Sequence, residues 1–165
     1  MTSRNKVLVV GASGLVGQAA VRAFENDFAW EVVCVSRRPP RGGNGRARHI
    51  AVDLRDAARC ADVFGAMRDV THVVYAAVSE DSSNLIRGWL DLERMQLNQR
   101  MLENAFEPLL RVAPLRQVSL LQGTKAYGGV AGVDVGHTYR ERAPRAQHDN
   151  FYWLQEDYLR RKQQG

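Results

Sequence analysis

Lys6-Val-Leu-Val-Val-Gly-Ala-Ser-Gly-Leu-Val-Gly17 decides the fold of this chain. A short β-branched run ends at once in Gly11, after which Leu15, Val16, Ala19, Ala20, Ala23 and Phe24 recur at helical spacing. The segment reads as strand, tight turn, helix, and that context makes a loose glycine pattern specific. Gly11 allows the turn, Gly14 lets the backbone approach a pyrophosphate, and Gly17 lets the helix pack on the strand. The free N–H groups at the helix start face the anion. Gly11, Ser13, Gly14, Leu15, Val16 and Gly17 are therefore expected to hold the phosphates of a dinucleotide; the alternative is a glycine-rich turn that binds nothing.

Outward from this turn the alternation continues. Trp30 to Val35 reads as a second strand and His49 to Val52 as a third, with a Pro/Gly/Arg loop from Pro39 to Arg48 between them. Asp56 to Arg68 supports a helix, and Thr71 to Ala77 is a nearly all-apolar strand of the kind buried on both faces. Leu85 to Leu110 keeps a three-to-four spacing, making a long helix that Pro108 should kink or end. Gln117 to Leu121 is a fifth strand, Gly128 to Asp149 a long loop, and Asn150 to Lys162 a last helix. Strands alternating with helices predict an α/β fold with a doubly wound parallel sheet of about five strands and a ligand site at the strands' carboxyl ends.

Composition agrees with one folded domain over residues 1–165: 45% hydrophobic and 25% charged residues exclude a disordered or collagen-like chain. The net charge of +5 permits an anionic ligand, but 20 of the 23 basic residues are arginine, so the charge argues little for nucleic acid and none is expected as a partner. Cys34 and Cys60 have no second Cys or His at ligand spacing, and His49, His72, His137 and His148 show no metal spacing, so no metal is expected. No apolar stretch suits a membrane span or signal peptide, and a reducing cytoplasm is the expected compartment.

At the end of the second strand, where a site preferring NAD usually places an acidic residue on the ribose 2′-hydroxyl, the chain has Ser36-Arg37-Arg38. Two guanidinium forks suit a 2′-phosphate, so NADP (as NADPH) is expected rather than NAD; a solvated basic loop is the alternative. Asp53 and Leu54 are placed to contact the adenine edge, with helix capping the alternative for Asp53. Ala76 and Ala77 bring small residues against the cofactor.

The glycine spacing, Asp53-Leu54, the alanine pair and Tyr127-Gly128 together resemble the extended short-chain dehydrogenase/reductase family, with its Rossmann fold. That superfamily has Ser or Thr four residues before the Tyr-Gly, where this chain has Gly123. Gln122-Gly-Thr-Lys-Ala-Tyr127 instead resembles the Thr-Gly-x-Lys-x-Tyr segment of the progesterone 5β-reductase/iridoid synthase-like branch. Asn150-Phe-Tyr-Trp-Leu-Gln-Glu-Asp157 resembles that branch's Asn-Phe-Tyr-Tyr-x-x-Glu-Asp, and Asn98-Gln-Arg-Met-Leu-Glu-Asn104 its long-helix motif. The resemblance implies Lys125 and Tyr152 as the catalytic pair of an NADPH-dependent enone reductase acting on a small molecule. In that chemistry the phenol stabilises charge on the carbonyl oxygen, and a nearby ammonium lowers the phenol's pKa.

Tyr158-Leu-Arg-Arg-Lys162 is a literal Tyr-x-x-x-Lys, but it lies nearly two turns beyond Tyr152, and Tyr158 reads as an exposed residue of a basic terminal turn. Members of the resembled family continue into a carboxyl-terminal substrate domain. The chain is therefore expected to be truncated, with an uncovered sheet edge, and to be marginally stable or a homo-oligomer. Two further readings stand beside the reductase: a non-catalytic dinucleotide-binding or sensor module, and an NAD-dependent epimerase or dehydratase, which Gly123 and the displaced lysine disfavour.

Overall fold

The computed structural model of the protein describes residues 5–80, 91–127, 139–140, 142, 144–145 and 148–164. Strands β1 (Asn5–Val10), β2 (Trp30–Ser36), β3 (Arg48–Ala51), β4 (His72–Tyr75) and β5 (Gln117–Leu120) form one parallel sheet in the order β3-β2-β1-β4-β5. Helices α1 (Leu15–Glu25), α2 (Ala57–Gly65), α3 (Leu92–Leu110) and α4 (Phe151–Gln163) alternate with them, and a 3-10 turn covers Thr124–Tyr127. This is the doubly wound sheet that the apolar strands predict.

Chain order reverses beside β1, whose neighbours are β2 and β4. The carboxyl ends of β1 and β4 therefore flank the crevice such a sheet uses for ligands. Val7–Val10 of β1 and Val32–Val35 of β2 are buried, as expected of strands covered on both faces. Val7, Val9, Ala12, Val21, Val32 and Cys34 form one cluster that seats α1 on the sheet.

Several boundaries differ from the sequence expectation. The fourth strand runs only over His72–Tyr75; the Ala76 N–H still bonds the Val10 carbonyl at 2.9 Å, and Ala76 and Ala77 pass against Gly11. Among the described residues α3 starts at Leu92; Leu85 to Leu90 lie outside them, as does most of the loop from Gly128 to Asp149. Pro108 sits in the last turn of α3, which runs on to Leu110, because a proline so near the end forfeits little of the ladder.

The Pro39–Arg48 loop is held by a residue the sequence did not single out. Glu25, buried at the end of α1, accepts the N–H of Ala47 at 2.7 Å and of Asn44 at 3.2 Å, and its carbonyl accepts the Asn44 amide at 3.1 Å and the Arg46 guanidinium. Gly43, at φ 112°, passes so close that a Cβ would stand 2.5 Å from Glu25 Oε2.

The chain forms two compact units, one holding the five strands up to Val78 with Met101–Leu121, the other Ser79–Arg100 and the chain from Gln122 on.

Candidate functional site

In the first unit the turn after β1 is shaped by close approach. Gly11 has φ 87°, and a Cβ there would stand 2.6 Å from the Ala77 nitrogen; one on Gly17 would collide with the Gly11 carbonyl. The N–H groups of Gly11 and Ala12 are used by the Val35 carbonyl at 2.9 and 3.1 Å, which ties the turn to β2. Gly14 is the N-cap of α1, no side chain caps that helix, and its first turn holds no acidic residue. Leu15, 86% exposed, and Val16 place their backbone donors at an open helix start. Ser13 offers no cap either; its carbonyl accepts the Gln18 amide at 2.8 Å.

The other expected cofactor residues share this unit. Ala76 and Ala77 lie against Gly11. Arg37 and Arg38 are exposed beyond β2, whereas Ser36 is buried and its hydroxyl donates to the Arg38 carbonyl at 2.6 Å. Asp53 does not cap α2: that place belongs to Asp56, which accepts the N–H of Arg59 at 2.9 Å, three residues further along. Asp53 is gripped by Arg55, from Nε at 3.0 Å to Oδ1 and from Nη2 at 2.6 Å to Oδ2. Those hydrogen bonds, aided by the charge of Arg37, hold its carboxyl down at about 2. Leu54 is buried, and its carbonyl accepts the Asn104 amide at 2.8 Å.

The second unit carries Lys125 and Tyr152. Asn150 caps α4 by accepting the N–H of Tyr152 at 3.0 Å, while its amide donates to the Lys125 carbonyl at 2.6 Å. Trp153 donates from Nε1 to the Ala126 carbonyl at 3.0 Å, and the Gln122 amide to the Tyr152 carbonyl at 3.0 Å. Three side chains thus tie the turn bearing Lys125 to the first turn of the helix bearing Tyr152. Gly123 is part of this arrangement, since a Cβ there would lie 3.6 Å from the Tyr152 hydroxyl. Its backbone N–H hydrogen-bonds the phenolic oxygen.

Glu80, which the sequence reading passed over, completes the electrostatics. Burial lowers the pKa of Lys125, and the charge of Glu80 opposes that. Burial raises the pKa of Tyr152, and Glu80 raises it further against the Gly123 N–H. The expectation that the ammonium pulls the phenol down is thus corrected: Tyr152 is held protonated, as a hydrogen-bond donor must be. Glu80 is fixed through its neighbour, for the Asn98 side chain takes the Ser79 N–H at 2.7 Å and donates to its carbonyl at 3.0 Å. The Asn98 carbonyl in turn accepts the Gln155 amide from α4 at 3.0 Å.

Tyr158 departs from expectation. It is 4% exposed, because Phe151, Gln155 and Tyr158 share the inner face of α4, while Arg160, Arg161 and Lys162 are at the surface. The polar Gln155 in the middle of that stripe concealed it.

An open glycine turn leading into an uncapped helix, beside the reversal point of a parallel sheet, defines a dinucleotide-binding α/β protein. The family model of the NAD dependent epimerase/dehydratase family matches residues 7–152, and the chain belongs to that family. It is 32% identical over 163 residues to a 3-oxo-Delta(4,5)-steroid 5-beta-reductase of Arabidopsis thaliana, and 28% identical over 165 residues to an (S)-8-oxocitronellyl enol synthase of Nepeta racemosa. Each alignment takes in 92% of this chain and 40% of the relative, so the chain spans about 40% of the length of these curated relatives. Among solved structures, the UDP-Glc/GlcNAc 4-epimerase of Campylobacter jejuni superposes with a TM-score of 0.74 at 18% identity, over 95% of this chain and 48% of that one. A UDP-glucose 4-epimerase of Bifidobacterium longum in complex with NAD+ and UDP gives 0.74 at 17%, over 96% and 49%. These likenesses show the fold, and no helix among the described residues is long and apolar enough to cross a membrane.

Proposed function

We propose that the protein is an NADPH-dependent reductase that saturates the C=C bond of a small enone, with Tyr152 and Lys125 as its catalytic pair. The observation that carries this reading is the lattice of Asn150, Trp153 and Gln122 that secures the Lys125 turn to the Tyr152 helix, with the Gly123 N–H on the phenol. Similarity to a steroid 5β-reductase and an enol synthase supports the substrate class.

The fit to a dinucleotide rests on the crowding at Gly11 and Gly17 and the uncapped start of α1. Gly14, Leu15 and Val16 would face the pyrophosphate, Arg37 and Arg38 the 2′-phosphate, Asp53 and Leu54 the adenine, and Ala76 and Ala77 the rest of the cofactor. When bound, NADPH supplies a hydride to the enone's β-carbon. Tyr152 then donates its phenolic hydrogen bond to the carbonyl oxygen, on which negative charge accumulates. Lys125 adds a positive charge to the same place, the charge of Glu80 favours the protonated forms of that ammonium and of the phenol, and the α-carbon takes its proton from water.

Enone-dependent oxidation of NADPH by the chain tests the reading. Tyr152→Phe should lower kcat by about 10²- to 10³-fold, the loss of one oxyanion donor, with NADPH binding unchanged. Full activity in that variant removes Tyr152 from the mechanism.

A further inference from the structure

The oxygens of Ser36, the last residue of β2, already have donors. The Ser36 carbonyl accepts the N–H of Val52 at 3.2 Å and lies 3.2 Å from His49 Nε2. The Ser36 hydroxyl oxygen stands 3.2 Å from the same nitrogen, and its proton goes to the Arg38 carbonyl. Since a carbonyl can only accept, Nε2 carries the proton and donates to both Ser36 oxygens. His49 reaches them because β3 lies beside β2 in parallel register, with His49 opposite Cys34. The carboxylate on which the Arg37 charge acts, Asp53, is occupied by Arg55. Beyond them stand the guanidinium donors of the exposed Arg37 and Arg38.

That arrangement separates two ligands. A ribose 2′-hydroxyl calls for an acceptor, and those of Ser36 and Asp53 are already engaged, whereas a 2′-phosphate needs donors and positive charge. We propose that His49 is a specificity-determining positioning residue: by donating Nε2–H to Ser36 it removes the acceptors a 2′-hydroxyl would use and fixes the turn that presents Arg37 and Arg38 to a 2′-phosphate. The inference rests on the NADPH reading above and adds a residue to it that no glycine or arginine motif contains. His49 touches no cofactor atom in this account; it acts through Ser36.

Fluorescence titration of the full chain with NADPH and with NADH gives the ratio of dissociation constants that tests it, without any turnover. The unmodified chain should prefer NADPH. His49→Gln keeps an N–H donor of similar reach and should hold the ratio within about threefold, while His49→Phe should narrow it about tenfold as NADH gains and NADPH loses. Ser36→Ala leaves the ring in place but frees the Arg38 carbonyl, and should narrow the ratio in the same direction, so the test survives if the Phe variant fails to fold. A Phe or Ala variant in which both affinities fall equally, or in which the ratio is unchanged, overturns the role of His49 and leaves the NADPH assignment standing. An unmodified chain that shows no preference for NADPH removes that assignment and this inference together.

Discussion

Replacing Asn150 by alanine removes two contacts that a single buried side chain makes: the cap on the Tyr152 N–H and the bond to the Lys125 carbonyl. Loss of a helix N-cap costs about 1 kcal/mol, and a partly buried carbonyl left without its donor roughly 1–2 kcal/mol more. The sum, about 2–3 kcal/mol, corresponds to a fall in Tm of roughly 5–10 °C for a chain of this size. Asn150→Ser keeps the cap but cannot reach Lys125, so it should recover about 1 kcal/mol of the loss. Urea unfolding followed by far-UV circular dichroism reads both variants. An alanine variant within about 0.5 kcal/mol of the parent, or a serine variant no better than alanine, would refute the reasoning that Asn150 joins the segments of Lys125 and Tyr152.

Two further outcomes are expected. Gly11→Ala should abolish dinucleotide binding and lower Tm, because its Cβ would lie 2.6 Å from the Ala77 nitrogen at a φ of 87°, whereas Gly14→Ala, 3.4 Å from the nearest atom, should fold normally and only weaken binding; calorimetry and thermal melts separate the two. Glu80→Gln removes a negative charge that favours the protonated forms of both Lys125 and Tyr152, so both groups should lose their protons at lower pH and the alkaline limb of activity should move acidward. With only Lys6, Lys125 and Lys162 in the chain, ¹³C-labelled lysine side chains give the Lys125 titration directly by NMR, and a midpoint that stays put or rises contradicts the placement of Glu80.

The strands were legible to within a residue or two because β-branched runs buried on both faces leave a continuous apolar signature, and the glycine turn because its spacing is steric. The motifs around Lys125 and Tyr152 contain Asn150 and Trp153, whose side chains bond the carbonyls of Lys125 and Ala126 and so join the two segments. What the sequence hid was polar. Asn98 reaches Ser79 across 19 residues, Gln155 reaches Asn98 across 57, and His49 reaches Ser36 across 13; pairings of this kind have no period to detect. Glu80 was missed for the same reason, since its importance lies in charges contributed by two distant segments. Tyr158 was misplaced because the buried stripe of α4 runs through a glutamine whose amide is satisfied inside.

The central claim is conjugate reduction with hydride drawn from NADPH, and the fate of a label tests it most directly. The chain is incubated with NADPH carrying deuterium at the transferable C4 position and a small enone, and the product is examined by NMR and mass spectrometry. One deuterium on the β-carbon of a saturated carbonyl product, absent when Tyr152→Phe replaces the parent over the same interval, is the predicted result. Deuterium on the carbonyl carbon of an allylic alcohol, or a labelled product formed equally well by the Tyr152→Phe variant, would contradict the account.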